Sequence, residues 1–114
     1  MRERQGMWIP LIGLGIGIGL GLFSQWTIPQ EYARYTAVAV LAAIDSIVGA
    51  TRSIIEKSYR NRIFVSGLIG NMFLALAITY LGDRLGIDLY IAAVVAFGVR
   101  VFNNFSKIRQ ILIG

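Results

Sequence analysis

The chain has 114 residues and a net charge of +5, with 56% of its residues hydrophobic, 15% charged, and neither cysteine nor histidine; its mean hydropathy is +0.67. That balance is more apolar than a soluble core of this length uses, and the absence of cysteine excludes disulfides, thiolate metal sites and cysteine nucleophiles. The basic excess fits anionic lipid headgroups better than nucleic acid, because the cations flank apolar runs instead of forming one patch.

Nine of the eleven basic residues fall into three clusters: Arg2 and Arg4; Arg52, Lys57, Arg60 and Arg62; and Arg100, Lys107 and Arg109. Arg34 and Arg84 occupy the two gaps. Alternation of this kind is a membrane topology written in charge, since basic loops stay cytoplasmic. The expected fold is all-α: one integral membrane domain over residues 1–114, a bundle of four transmembrane helices with an amphipathic C-terminal helical tail. Both termini are expected in the cytoplasm.

The first span, about residues 7–26, has no formal charge from Gln5 through Gln30 and is bracketed by Trp8 and Trp26. At about 1.5 Å per residue the two indoles would lie about 27 Å apart, one at each interface. A signal peptide is the competing reading, but Phe23-Ser24-Gln25-Trp26 offers no small-x-small cleavage site. Gly13, Gly15, Gly17, Gly19 and Gly21 alternate with Leu and Ile in this span. On a helix they form two ridges on nearly opposite sides, so helix packing is their expected role, with a second subunit as one partner. Strand periodicity and a phosphate loop fit a charge-free span poorly.

The second span, 34–53, carries Asp45 inside an apolar run. A carboxylate at such a depth costs at least a few kcal/mol on insertion scales, so it should face the bundle and find a partner. Arg52 lies about 10 Å farther along the same helix, a strained reach. The third span, 63–82, offers Asn71, and the fourth, 87–105, offers Arg100. By helical rise these three groups agree in depth, about 8–12 Å from the cytoplasmic boundary. An intramembrane polar cluster of Asp45, Asn71 and Arg100 is therefore expected, with Arg52 and Asn103 below it. Its role is either to register the helices or to provide a proton or cation site.

Between spans three and four, Gly82-Asp83-Arg84-Leu85-Gly86-Ile87-Asp88 reads as a turn in which glycines close one helix and Asp83 and Asp88 act as outer-loop caps. An outer metal site from Glu31, Asp83 and Asp88 is a weaker alternative. After the fourth span, Phe102, Phe105, Ile108 and Leu112 recur at helical spacing opposite Asn103, Asn104 and Lys107, which predicts the amphipathic tail over 102–113.

Four stretches also carry a family resemblance: Ile28-Pro29-Gln30-Glu31-Tyr32, Val40 through Ser46, Tyr80 through Tyr90, and Phe97 through Asn103. Together they resemble the bacterial small basic family, an integral membrane family without an established activity. The likeness runs from about Met7 onward, with Met1 to Gly6 as an extension of the usual start. That family is typically encoded beside envelope and cell-division genes, so the resemblance implies a multi-pass bacterial plasma-membrane protein with such a role; it supplies no catalytic residues. No serine or lysine has a partner at a recognisable catalytic spacing, so the chain is read as noncatalytic, without metal or cofactor. A homo-oligomer serving as accessory or scaffold for other envelope membrane proteins is the expected function, with a small transporter or channel subunit as the alternative.

Overall fold

A computed structural model describes residues 8–114, so Arg2, Arg4 and the first position of the expected 7–26 span lie outside the described residues. Four α-helices make up the described chain: α1 Ile9–Phe23, α2 Ala33–Ile55, α3 Asn61–Leu85 and α4 Tyr90–Ile113, with a short 3-10 turn Gln30–Tyr32 leading into α2.

Helix α1 carries Pro10 in its first turn, where the missing N–H is one that the turn leaves unused anyway. It ends earlier than expected. Ser24 turns extended at ψ 141°, and its Oγ accepts a hydrogen bond from the Trp26 N–H at 3.1 Å. A hydroxyl that bonds the local backbone competes with helix continuation, and Pro29 then excludes helix just ahead of it. The result is 15 residues, about 22 Å of helix against a hydrocarbon core of about 30 Å. Three helices, over Gln30–Ile55, Asn61–Leu85 and Tyr90–Ile113, are long and apolar enough to cross a membrane, and α1 is a shorter apolar helix.

Helix α2 lies between α3 and α4 and packs along both. The core at their crossing is Val38, Ala42, Ala75, Ala93 and Phe97, with Leu41, Met72 and Val94 against it. Three alanines there let backbones approach closely, which is how helices associate where lipid removes the hydrophobic drive. Hydroxyls on these helices bond inward to their own carbonyls: Thr51 to Ile47, Ser53 to Gly49 and Thr79 to Ala75. These three hydroxyls thereby sit on apolar helices with their donors satisfied.

The connections are tight. Lys57 closes α2 at φ 61°, with the Ser58 N–H donating to the Ser53 carbonyl. Gly86 closes α3 at φ 72°, and the Ile87 N–H donates to the Gly82 carbonyl. A Cβ on Gly82 would meet the Ile87 carbonyl oxygen at 2.6 Å, so this turn needs glycine there as well. Helix α4 begins at Tyr90, three residues later than expected, because Gly86 to Leu89 forms the turn. It then runs unbroken to Ile113, so the amphipathic tail is the last part of α4 and not a separate element; residues 102–113 contain no proline or glycine to break it.

Candidate functional site

Asp45 points into the bundle from the middle of α2, its side chain wholly buried, and the Arg100 Nη2 on α4 stands 3.4 Å from its Oδ2. Among the described residues, no group donates a hydrogen bond to either Asp45 oxygen, nor does the neighbouring buried Ser46 Oγ have a partner. Asp45 and Ser46 are among the residues that line a cavity of about 220 Å³, with Asn71 of α3 and Arg100, although their own side-chain oxygens are enclosed behind its wall. The small residues Gly49, Ala50 and Gly67 open it, and it continues to Ser58, Tyr59 and Arg60 in the α2–α3 connection. Arg100 is only partly enclosed, with 56% of its side chain exposed. On its other side it borders, with Asn71, an apolar cleft formed by Leu74, Ile78, Ala92, Ala96 and Phe97.

Arg52 does not reach Asp45. Its Nη1 donates to the Asn104 Oδ1 at 3.0 Å and its Nε lies 3.4 Å from the Glu56 carboxylate. The polar layer below Asp45 is thus Arg52, Glu56 and Asn104, while Asn103 is exposed. Rotation explains the difference: Asn104 follows buried Phe97 by two turns and stays on the face that meets α2, whereas Asn103 is turned about 100° away. The same continuation from Ala93 and Phe97 was the signal that could have selected Asn104.

A second cluster forms at the opposite end, around Arg34. Its Nη1 is 2.8 Å from the Asp83 Oδ1 and 3.8 Å from the Asp88 Oδ1, and its guanidinium carbon lies 4.8 Å from the centre of the Tyr90 ring. The Tyr35 hydroxyl donates to the other Asp83 oxygen at 2.6 Å. One arginine thereby ties the start of α2 to the end of α3 and the start of α4. Asp83 and Asp88 are not helix caps: the cap position of α4 is Leu89, with no side-chain bond, because Arg34 draws both carboxylates sideways. Nor do they join Glu31 in a metal site, since no group of three candidate metal ligands forms among the described residues. Tyr35 and Tyr90 carried no sequence signal beyond an interfacial position.

The glycines of α1 meet none of the described residues: a Cβ added at Gly13, Gly15, Gly17, Gly19 or Gly21 would find no atom of them within 4 Å. Tyr59, by contrast, is tucked under the cavity at 7% exposure. Its hydroxyl donates to the Asn61 Oδ1 at 3.0 Å, and burial pushes its phenol above the ordinary tyrosine range.

Comparison with known proteins agrees with the resemblance carried by the sequence. The family described as a protein of unknown function, DUF1290, matches residues 28–113. The chain is 46% identical over 107 residues to "Small basic protein" of Bacillus subtilis (strain 168), covering 94% of this chain and 88% of that one. It is 34% identical over 89 residues to an uncharacterized protein of Mycobacterium tuberculosis (strain ATCC 25618 / H37Rv), covering 76% of this chain and 74% of the other. No solved structure matches it significantly. The chain belongs to the DUF1290 family.

Proposed function

From membership of this family of unknown function, we infer that the chain is a noncatalytic multi-pass protein of the bacterial plasma membrane that assembles into oligomers and serves as an accessory or scaffold of the envelope or division machinery. In this reading α1 joins the three long helices as a fourth crossing, and both termini are cytoplasmic. The basic residues Arg52, Lys57, Arg60, Arg62, Lys107 and Arg109 then share one side. Stretching of Ser24 to Pro29, or local thinning of the bilayer, accommodates the short α1.

The observation that carries the reading is α1 itself. Its two glycine ridges face no atom of the other described residues, although each glycine costs a helix about 1 kcal/mol in water relative to alanine. Close packing against another membrane helix offsets that cost, and a second copy is the partner always present. Gly17→Leu would obstruct one ridge while leaving the α2–α4 bundle untouched. Cross-linking in native membranes should show oligomer for the parent chain and a shift to monomer for the variant; a parent chain that stays monomeric at every surface density would sink the scaffold reading.

A second reading, a small transporter or channel subunit, rests on Asp45, a residue that lines a cavity in the bundle and whose carboxylate receives no hydrogen bond from the described residues. Buried intramembrane acids of this kind mark ion or proton pathways. Proton or cation flux into liposomes that disappears in Asp45→Asn would favour it, and no flux at any pH would remove it.

A further inference from the structure

The Asp45 cavity has a direction. Its lining begins at the α2–α3 connection with Ser58, Tyr59 and Arg60, passes Ser53, Gly49 and Gly67, and ends at Asp45, Ser46, Asn71 and Arg100. Along α2, from its last residue Ile55 to Asp45, that is about 15 Å of helix. Beyond Asp45 the polar lining stops, and the bundle closes on Val38, Ala42, Ala75, Ala93 and Phe97, with Thr79 buried and bonded to its own helix. Three polar atoms enclosed at the blind end, both Asp45 oxygens and the Ser46 Oγ, have no hydrogen-bond partner among the described residues. Leaving such groups unsatisfied in a low-dielectric interior costs about 1–3 kcal/mol each, more for a charge. The guanidinium of Arg100 offsets part of the carboxylate's charge but does not donate to it. The space has both polar and apolar walls, and is several times larger than the roughly 30 Å³ that one water occupies in the liquid.

We propose that this cavity is a one-sided aqueous crevice: water enters from the α2–α3 side, hydrates Asp45 and Ser46, and is stopped there by the alanine-rich core. Asp45 thereby exchanges protons with that side of the membrane alone. Among the described residues, the charged and titratable groups around the path are Arg100 from α4, Arg60 and Tyr59 from the connection, and Arg52 and Glu56 on α2 itself; α3 contributes the uncharged Asn71. The crevice goes beyond the scaffold role. It also restricts the transport reading, because in this conformation the site is open to one side and a through-path would require Arg100 and the core to rearrange.

The proposal rests on the membrane placement given above, and labelling separates the two. The chain contains no cysteine, so each single-cysteine variant carries one thiol. Ser58→Cys, Gly67→Cys and Ser46→Cys sample the mouth, middle and end of the crevice. Gly49→Cys replaces Ser46→Cys if that variant does not assemble, since a Cβ at Gly49 meets only the Asn104 Nδ2, at an ordinary 3.6 Å. Thr79→Cys reports the sealed half and Phe73→Cys, on an exposed apolar face, reports lipid. Sealed vesicles of each orientation are treated with small membrane-impermeant methanethiosulfonates, one bearing a trimethylammonium group and one a sulfonate.

The expected result is reaction of all crevice positions from the α2–α3 side, with Ser46→Cys at least about a hundredfold faster than Thr79→Cys, and no reaction from the other side. Phe73→Cys stays protected from both. Protection of Ser46→Cys and Gly49→Cys while Ser58→Cys reacts overturns the crevice alone, as does reaction of Ser46→Cys from the opposite side. Free reaction of Phe73→Cys overturns the membrane placement and the crevice with it.

Discussion

Removing the Arg100 side chain tests what holds Asp45 in place. The two charges stand 3.4 Å apart, which at an effective dielectric near 20 corresponds to about 5 kcal/mol of attraction. Arg100→Ala would leave a wholly buried carboxylate with neither a counter-charge nor a protein donor, a change that typically costs about 3–5 kcal/mol. Asp45→Asn in the same background removes the charge that needed compensation, so the double variant should recover most of that loss. If the pair were only an interhelical polar contact, its coupling would be nearer the 0.6 kcal/mol average of such contacts in membrane proteins. A double-mutant cycle on unfolding free energies in bicelles separates the two, because about 3 kcal/mol is more than a hundredfold in the unfolding constant. Arg100→Ala and Asp45→Asn effects that add to within about 0.5 kcal/mol would refute the argument that a buried charge is being neutralised.

Three further outcomes follow from the connections between helices. Gly82→Ala places a Cβ 2.6 Å from the Ile87 carbonyl oxygen, so thermal unfolding in detergent should show a loss of about 1–3 kcal/mol, the usual range for overpacking. Lys57→Gly relieves a left-handed backbone at φ 61° and should raise stability by about 1 kcal/mol in the same assay, provided that residue stays outside the bilayer. The raised Tyr59 phenol means that the folded state holds its proton more tightly than the unfolded chain does. The stability this contributes is complete below the unfolded value of about 10 and is lost as pH rises through the folded one. Melting temperature should therefore fall less steeply above about pH 10 in Tyr59→Phe than in the parent; curves of equal slope would show that Tyr59 does not titrate against the fold.

The order of the helices was legible because it depends on properties that act along the chain. Apolar runs of about 20 residues must satisfy their backbone internally in lipid and so become helices. The glycines after Leu81 were readable as a turn for the same local reason: Gly86 takes a φ that other residues resist. The early stop of α1 was harder to see, because a single serine hydroxyl bonding the Trp26 N–H decides it and nothing in the hydropathy of the segment changes there.

Composition and charge order alone predicted a helical chain of four apolar segments, and they singled out Asp45 and Arg100 as charges set well inside those segments. Only the tertiary structure decided which groups meet. Counting along the chain set Arg100 level with Asp45 and left Arg52 a strained reach away, but that Arg100 faces Asp45 depends on how α4 rotates when Ala93 and Phe97 pack against α2. The same rotation brings Asn104, not Asn103, to Arg52. Arg34 became the hub of the far end because three helix ends converge there, drawing away the carboxylates that local spacing had assigned to capping. Rise along a helix can be counted from residue numbers, whereas the facing of one helix toward another is set by side-chain packing between segments distant in the chain.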